Sequence, residues 1–494
     1  MAQMVLEGVS EFLGEAHGLL IDGEEREARS GERFDVLDPA TGEVVATAPS
    51  GGPADVDDAV AAAREAFPTW RELAPAKRAE LLWHLGTRIA QLADEFAQIE
   101  ALDNGKPSGE ALAVDIPLCS EIFRYYAGWA TKIEGSTIPV SSGSFHVYTR
   151  REPVGVVGAI IPWNFPLLMC GYKLGPSLAA GNTVVLKPAE QTPLAALRLA
   201  ELVTEIGFPP GVVNVVTGFG ETAGAALAAH SDVDKVTFTG ETTTGRKILE
   251  AAKGNLKRVA LELGGKSPNL IFADADIEAA LQGTYGAVFF NQGQCCIAGA
   301  RTYVGEEVRD EFVDRLVRRA REIRLGSGLD PATDMGPLVS HEQLQRVTGY
   351  IESGIAEGAT VLVGGERADD PDLASGYFVR PTVFTDVDHS MRIMREEIFG
   401  PVAMVASFAS EDEAVALAND TPYGLSAGVW TCDIKRAHRV AAALDAGTVW
   451  VNTYGWFDVA APYGGFKMSG YGKELGEETL ASYLRTKTVW VDLS

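Results

Sequence analysis

An uncharged run of largely β-branched residues over 154–161 constrains this chain more than any other feature, because a strand without a polar face has to be buried on both sides. The segment after it alternates. Strand-like runs at 182–186, 212–216 and 235–238 are separated by helical patterns over 194–206 and 222–229, and a further helix covers 242–252. Such alternation builds a parallel sheet with helices on both faces, and these sheets bind ligands at the carboxyl ends of their strands. A strand at 269–272 and a helix over 277–288 restart the pattern, which predicts a second α/β unit.

Upstream, apolar positions at helical spacing predict helices over 53–67 and 77–102. Pro53 and Asp55 suit the first turn of one, and Asn104-Gly105-Lys106-Pro107 breaks the other before a shorter helix from Ser108. Over 133–151 polar and β-branched residues alternate around a Ser-Ser-Gly-Ser turn at 141–144, the pattern of a β-hairpin with an exposed edge. The run 486–493 is also β-like. The two are expected to share one oligomerisation sheet, plain surface strands being the alternative.

Composition narrows the function classes. The 494 residues carry 42 Lys and Arg against 68 Asp and Glu, a net charge of −26, which argues against nucleic acid and anionic membrane as partners. The longest apolar stretch, 154–161, falls far short of the ~20 residues that cross a bilayer. Five cysteines, Cys119, Cys170, Cys295, Cys296 and Cys432, are odd in number and never spaced as C-x-x-C, so neither a disulfide framework nor a structural metal site is expected. With no signal-peptide progression and an acidic N-terminus, the expected location is the cytoplasm.

Five segments carry chemistry. Asn291-Gln292-Gly293-Gln294-Cys295-Cys296 sets two thiols in a tight turn after an apolar helix, suited to a nucleophilic thiolate or to two small buried hydrophobes. In Leu261-Glu262-Leu263-Gly264-Gly265-Lys266 a carboxylate lies among apolar neighbours. Burial would raise its pKa into the range of a general base, unless it pairs with Lys266 or caps a helix. Pro162-Trp163-Asn164-Phe165-Pro166 follows the buried strand, where Asn164 is either an amide donor for a developing oxyanion or a turn former. Lys187 and Glu190 leave one strand end three residues apart, as a ribose clip or a surface ion pair; an acid there favours an unphosphorylated 2′ position. Phe238-Thr239-Gly240-Glu241 leads a strand into a helix N-terminus, a place that favours phosphate. Gly218, Gly220 and Gly224 miss the usual dinucleotide spacing by one residue.

In this order, and with Glu396-Glu397-Ile398-Phe399-Gly400-Pro401 and the tail Pro462-Tyr463-Gly464-Gly465-Phe466-Lys467, the sequence resembles the aldehyde dehydrogenase superfamily from about Gly18 to Leu493. The resemblance implies an α/β fold of two parallel-sheet, Rossmann-like domains plus a β-hairpin oligomerisation arm. The boundaries expected are 1–132 and 154–264 for the NAD-binding domain, 265–479 for the catalytic domain, and 133–153 with 480–494 for the arm. It implies oxidation of an aldehyde to the acid with NAD, in a homodimer or homotetramer, with no metal. It selects Cys296 as nucleophile, Glu262 as general base and Asn164 as oxyanion donor. It places the cofactor on Ile161, Pro162, Trp163, Lys187, Glu190, Gly220, Phe238, Thr239, Gly240, Glu241, Leu263, Gly264, Glu397 and Phe399. Glu190 sets NAD ahead of NADP, and Glu262 points to hydrolysis rather than transfer to coenzyme A. Many relatives carry Ser where this chain has Glu241, and a carboxylate aimed inward there would repel the pyrophosphate.

By position, Phe165, Met169, Tyr172, Phe290, Trp456, Phe457 and Tyr463 form the substrate funnel. A mostly aromatic wall suits an apolar aliphatic or aromatic aldehyde. A trimethylammonium aldehyde of the betaine type is the alternative. A non-catalytic structural relative is the remoter one, and the presence of both Cys296 and Glu262 speaks against it.

Overall fold

In the computed structural model residues 5–494 are described, and the first four residues of the expected cofactor unit lie outside the described residues. The strand over 154–161 forms as Val156–Ile160, buried at every position. It is the centre of an eight-stranded sheet. Five parallel strands run in the order Val213–Val215, Thr183–Lys187, Val156–Ile160, Lys235–Thr239, Arg258–Glu262. Counted along the chain that order is 3-2-1-4-5, so the winding direction reverses between Val156–Ile160 and Lys235–Thr239. Ligands of such sheets bind at that reversal, and the Pro162–Phe165 and Thr239–Glu241 segments leave the sheet there. Antiparallel additions close both edges: Leu19–Ile21 and Glu24–Arg26 on one side, Gly470–Tyr471 on the other.

The second unit is a seven-stranded sheet. Six parallel strands, with Arg301–Gly305 at the centre of the sheet and Pro268–Ile271 beside it, are joined by one antiparallel edge strand, Thr360–Val363. The expected α/β fold with two parallel sheets is therefore present. The C-terminal strand Leu484–Asp492 pairs antiparallel with Phe145–Pro153, and Thr137–Ile138 extends that sheet. The hairpin and the tail thus share one sheet, whose outer residues include the edge-to-face pair Phe145 and Trp490. No helix among the described residues is long and apolar enough to cross a membrane.

One helix departs from expectation. The pattern over 77–102 is broken at Leu92 (φ −103°, ψ 26°) into Pro75–Gln91 and Ala93–Asp103. The first part is amphipathic. In the second, every residue from Phe96 to Asp103 is buried. One straight helix could not present a solvent face and then plunge into the core, and the break at Leu92 allows both.

That plunge carries charge inward. Lys106 is fully buried with its Nζ on the Asp115 carboxylate, 3.4 Å from Glu100, and donating to the Asn164 carbonyl at 3.1 Å. Glu100 accepts from the Leu167 amide at 2.9 Å, and the Asn104 side chain donates to the Trp163 carbonyl at 2.9 Å. This buried network is what fixes the loop carrying Asn164. Removing one member of a buried ion network leaves uncompensated charge, at a cost of about 3–5 kcal/mol. Lys106→Met is expected to lower the thermal unfolding midpoint by several degrees. The loss should shrink in acid, where Asp115, already pushed up by its burial, takes a proton.

Candidate active site

The Cys296 turn is built from unfavourable backbone. Helix Ile277–Phe289 ends, and Asn291 (φ 49°), Gln292 (φ 57°) and Gly293 (φ 69°) come next in the left-handed region. Two such non-glycine residues cost roughly 1–3 kcal/mol each and persist only where their surroundings fix them. Here the surroundings do. The Asn291 amide donates to the Glu110 carboxylate at 3.0 Å, and its side chain donates to the Asn164 carbonyl at 2.8 Å. The Gln292 side chain donates to the Pro337 carbonyl at 2.8 Å. A side chain on Gly293 would lie 2.2 Å from the Gly400 carbonyl oxygen, so that position accepts only glycine. The turn buries Cys295 and leaves Cys296 partly open to a cavity of about 200 Å³.

Cys296 Sγ lies 3.3 Å from the Tyr463 hydroxyl. Of the two adjacent thiols Cys296 is the more acidic. Its neighbour Cys295 and then Tyr463 hydrogen-bond to it and lower it, whereas Cys295 is pushed well up. Asn164 is on the same cavity wall. One N–H of its side-chain amide donates to the Gln294 carbonyl at 2.9 Å, which orients the group and leaves its second N–H available.

Glu262 ends the strand Arg258–Glu262 at the cavity. It is buried, and neither carboxylate oxygen has a hydrogen-bond partner. Burial, and then the nearby Glu474 carboxylate, push it well above the usual range. The pairing with Lys266 left open by the sequence does not form. Lys266 is also buried without a partner at Nζ, and burial lowers it to about 7. Glu474 faces the cavity as well, paired with the fully buried Lys173.

At the other end of the cleft, Glu397 accepts from the Gly265 amide at 2.9 Å, and burial raises it to about 7. A Cβ on Gly264 would meet the Glu397 carboxylate at 2.2 Å, so the glycine is what lets the acid lie across the backbone. Phe399 stands edge-on to Trp163, centroids 5.2 Å apart. Thr239 and Gly240 are on the wall, and the Thr239 hydroxyl is buried without a partner. Glu241 precedes the helix Thr242–Ala252 but makes no capping bond with its side chain. Its carboxylate turns instead to Arg346, 3.8 Å away, which also donates to the Glu397 carbonyl at 2.9 Å. Glu241 thus lines the cavity with a partly exposed cation from the other unit beside its carboxylate.

Pro162, Trp163, Leu263 and Gly264 line the cavity as well, whereas several of the other expected residues lie outside its wall. Lys187 is nearly fully buried and pairs with Glu190 at 2.9 Å, beyond the next strand end. Ile161 and Phe238 are buried in the core, and a Cβ on Gly240 would strike the Phe238 ring at 2.5 Å. Gly220 opens an exposed helical turn. Of the funnel set, Phe165, Met169, Tyr172 and Tyr463 line the cavity. Phe290 stacks on Phe165 at 6.1 Å and Phe457 packs on Tyr463 at 5.2 Å, both one layer out. Trp456 is 76% exposed. Lys106, Lys173, Gln343, Arg346 and Glu474 also serve the site, and sequence reasoning misses them. Only Lys106 carries any signal, in the Asn-Gly-Lys-Pro helix break.

Two parallel sheets facing one cleft, with a thiol, an unpaired carboxyl and an oriented amide on its wall, make the architecture of a dehydrogenase. The chain belongs to the aldehyde dehydrogenase family, whose profile matches residues 26–489. It is 50% identical to the putative aldehyde dehydrogenase DhaS of Bacillus subtilis over 100% of this chain and 99% of that one. Human mitochondrial aldehyde dehydrogenase is 52% identical over 96% of this chain and 91% of its own. Among solved structures, the NAD+ complex of aldehyde dehydrogenase from Bacillus cereus superposes with a TM-score of 0.98 at 51% identity, covering both chains fully. Betaine aldehyde dehydrogenase from Staphylococcus aureus in complex with NAD+ gives 0.96 at 41% identity, over 98% of this chain and 97% of that one.

Proposed function

We propose that this enzyme oxidises apolar aliphatic or aromatic aldehydes to free carboxylic acids with NAD, through a covalent adduct on Cys296. The observation that carries the reading is Glu262: a buried carboxyl without partners, facing the same cavity as a thiol of lowered pKa.

The residues present fit the dinucleotide. A helix N-terminus with free amides and the unpartnered Thr239 hydroxyl face the cleft at the sheet's reversal. Lys187 and Glu190 would hold the adenosine ribose, and Glu397 and Phe399 the nicotinamide end. Glu190 would repel a 2′-phosphate, which favours NAD over NADP. Both solved relatives named above are NAD+ complexes.

In the first step the Cys296 thiolate adds to the aldehyde carbon and the carbonyl π pair moves to oxygen. The Asn164 amide N–H donates to that oxyanion. Such a donor contributes roughly 10²–10³-fold. NAD bound there would supply the two-electron oxidation as hydride acceptor, which leaves the acyl group as a thioester on Cys296. Glu262 then takes a proton from water, which attacks the thioester and frees the acid. Burial raises its pKa, which makes its carboxylate a stronger base than an ordinary one. Residues 1–132 and 154–264 would serve the cofactor and 265–479 the substrate, although Gly470–Tyr471 joins the first sheet. The sheet of 133–153 and 480–494 would be the arm of a homodimer or homotetramer.

The test is NADH formation from acetaldehyde, hexanal, phenylacetaldehyde, betaine aldehyde and succinic semialdehyde, first with NAD and then with NADP. The expected order puts hexanal and phenylacetaldehyde ahead and NAD ahead of NADP. The cavity aromatics Trp163, Phe165, Tyr172 and Tyr463 also suit a trimethylammonium group. Fastest turnover of betaine aldehyde would replace the apolar reading with that one.

A further inference from the structure

Sequence position assigns Tyr463 to an apolar wall, yet its hydroxyl ends 3.3 Å from the Cys296 sulfur. That placement is not loose. Tyr463 is buried, its amide and carbonyl each bond to the Glu474 backbone at 2.7 Å, and its ring packs edge-on against Phe457.

The setting of Cys296 makes this contact consequential. The ionisable groups that bear on it are acids: Cys295 on its own turn, Tyr463 on the tail, Glu262 on the sheet edge, Glu397 across the cleft, and the phenols of Tyr172 and Tyr454. Each, once ionised, repels a sulfur anion. A thiolate here depends on neutral donors, and a phenol O–H is a stronger donor than a thiol S–H. Burial holds the Tyr463 phenol well above its usual range, so it keeps its proton while the thiol loses its own. The direction of the hydrogen bond is then fixed: oxygen donates and sulfur accepts.

We propose that Tyr463 is a catalytic residue whose phenolic O–H donates to the Cys296 sulfur and holds it as the thiolate that attacks the aldehyde. The proposal rests on the reading of Cys296 as nucleophile. The thiol proton leaves to solvent and Tyr463 keeps its own. As the S–C bond forms, the charge passes to the carbonyl oxygen and the Tyr463 hydrogen bond weakens. Its gain therefore lies in the thiolate population near neutral pH. Intrinsic nucleophilicity falls with thiol pKa at a slope of about 0.4–0.5. Without the hydroxyl, the sulfur should react more slowly at neutral pH and faster once fully ionised.

The test uses the cofactor-free protein and Tyr463→Phe, which keeps the ring packing and loses one oxygen whose bond goes to Sγ. Iodoacetamide alkylation is followed against pH by mass spectrometry, with fragment ions separating Cys296 from Cys295. The midpoint for Cys296 is expected to rise by about one to two pH units, the size of a hydrogen bond to a charged acceptor. The two rate curves should cross at high pH, which a merely structural defect would not produce. Coincident midpoints would overturn the proposal. The parent reading fails separately: wild type alkylated at Cys296 that still forms NADH would exclude Cys296 as nucleophile, whatever Tyr463 does.

Discussion

Cys296→Ala is expected to lower kcat/KM for every aldehyde by about 10⁴-fold or more, with NAD affinity and the thermal midpoint unchanged. The size comes from the mechanism. Without a sulfur nucleophile no covalent adduct forms, and what remains is the oxyanion donor and proximity acting on a bound aldehyde hydrate. Stability should hold because Cys296 is only partly buried and the strain of its turn is held by Asn291, Gln292 and Gly293 rather than by the thiol. Cys295→Ala is the internal control. It deletes a buried thiol that hydrogen-bonds to Cys296, so its effect should be modest and should appear as a shift in the pH profile. Steady-state NADH formation and tryptophan quenching by NAD separate the two quantities, and a Cys296→Ala enzyme within tenfold of wild type would remove the covalent mechanism.

What the sequence disclosed and what it hid divide along physical lines. Strands such as Val156–Ile160 and helices such as Leu194–Ile206 carry their burial in their own pattern, and both are visible in it. The helix Pro166–Ala180 is not: fourteen of its fifteen residues are buried, so it has no polar face and no period to detect. Cys296, Glu262 and Asn164 are legible as candidates because each lies in an unusual local context. Their surroundings are not legible. The Asn164 loop is fixed by Lys106, Glu100, Asn104 and Asn291, and the neighbours of Glu262 include Glu474 and Lys173, all distant in sequence. The same limit explains Trp456, placed in the funnel by position although its ring stands at the surface, and Glu241, whose partner Arg346 comes from the other sheet's unit.

Glu262→Gln is expected to lower steady-state turnover by roughly 10²–10⁴-fold, the usual contribution of a positioned base. It should leave a burst of NADH, because adduct formation and oxidation precede the step that needs the base. Wild-type turnover should fall as pH drops through the raised pKa of Glu262, and the variant should lose that acid limb. Stability should move the opposite way. A carboxyl whose folded pKa lies above its unfolded value binds more protons when folded, so stability falls as pH rises from the unfolded value of about 4.3 towards the folded one. Above that window the native protein bears an unpaired buried anion, which glutamine removes. Glu262→Gln should therefore unfold at a higher temperature than wild type near neutral pH, with the gap closing in acid. A variant that is inactive and also less stable would mean that Glu262 is a structural carboxyl. An inactive variant that unfolds at a higher temperature would identify a group kept at the expense of stability, as expected of a buried base with no partner.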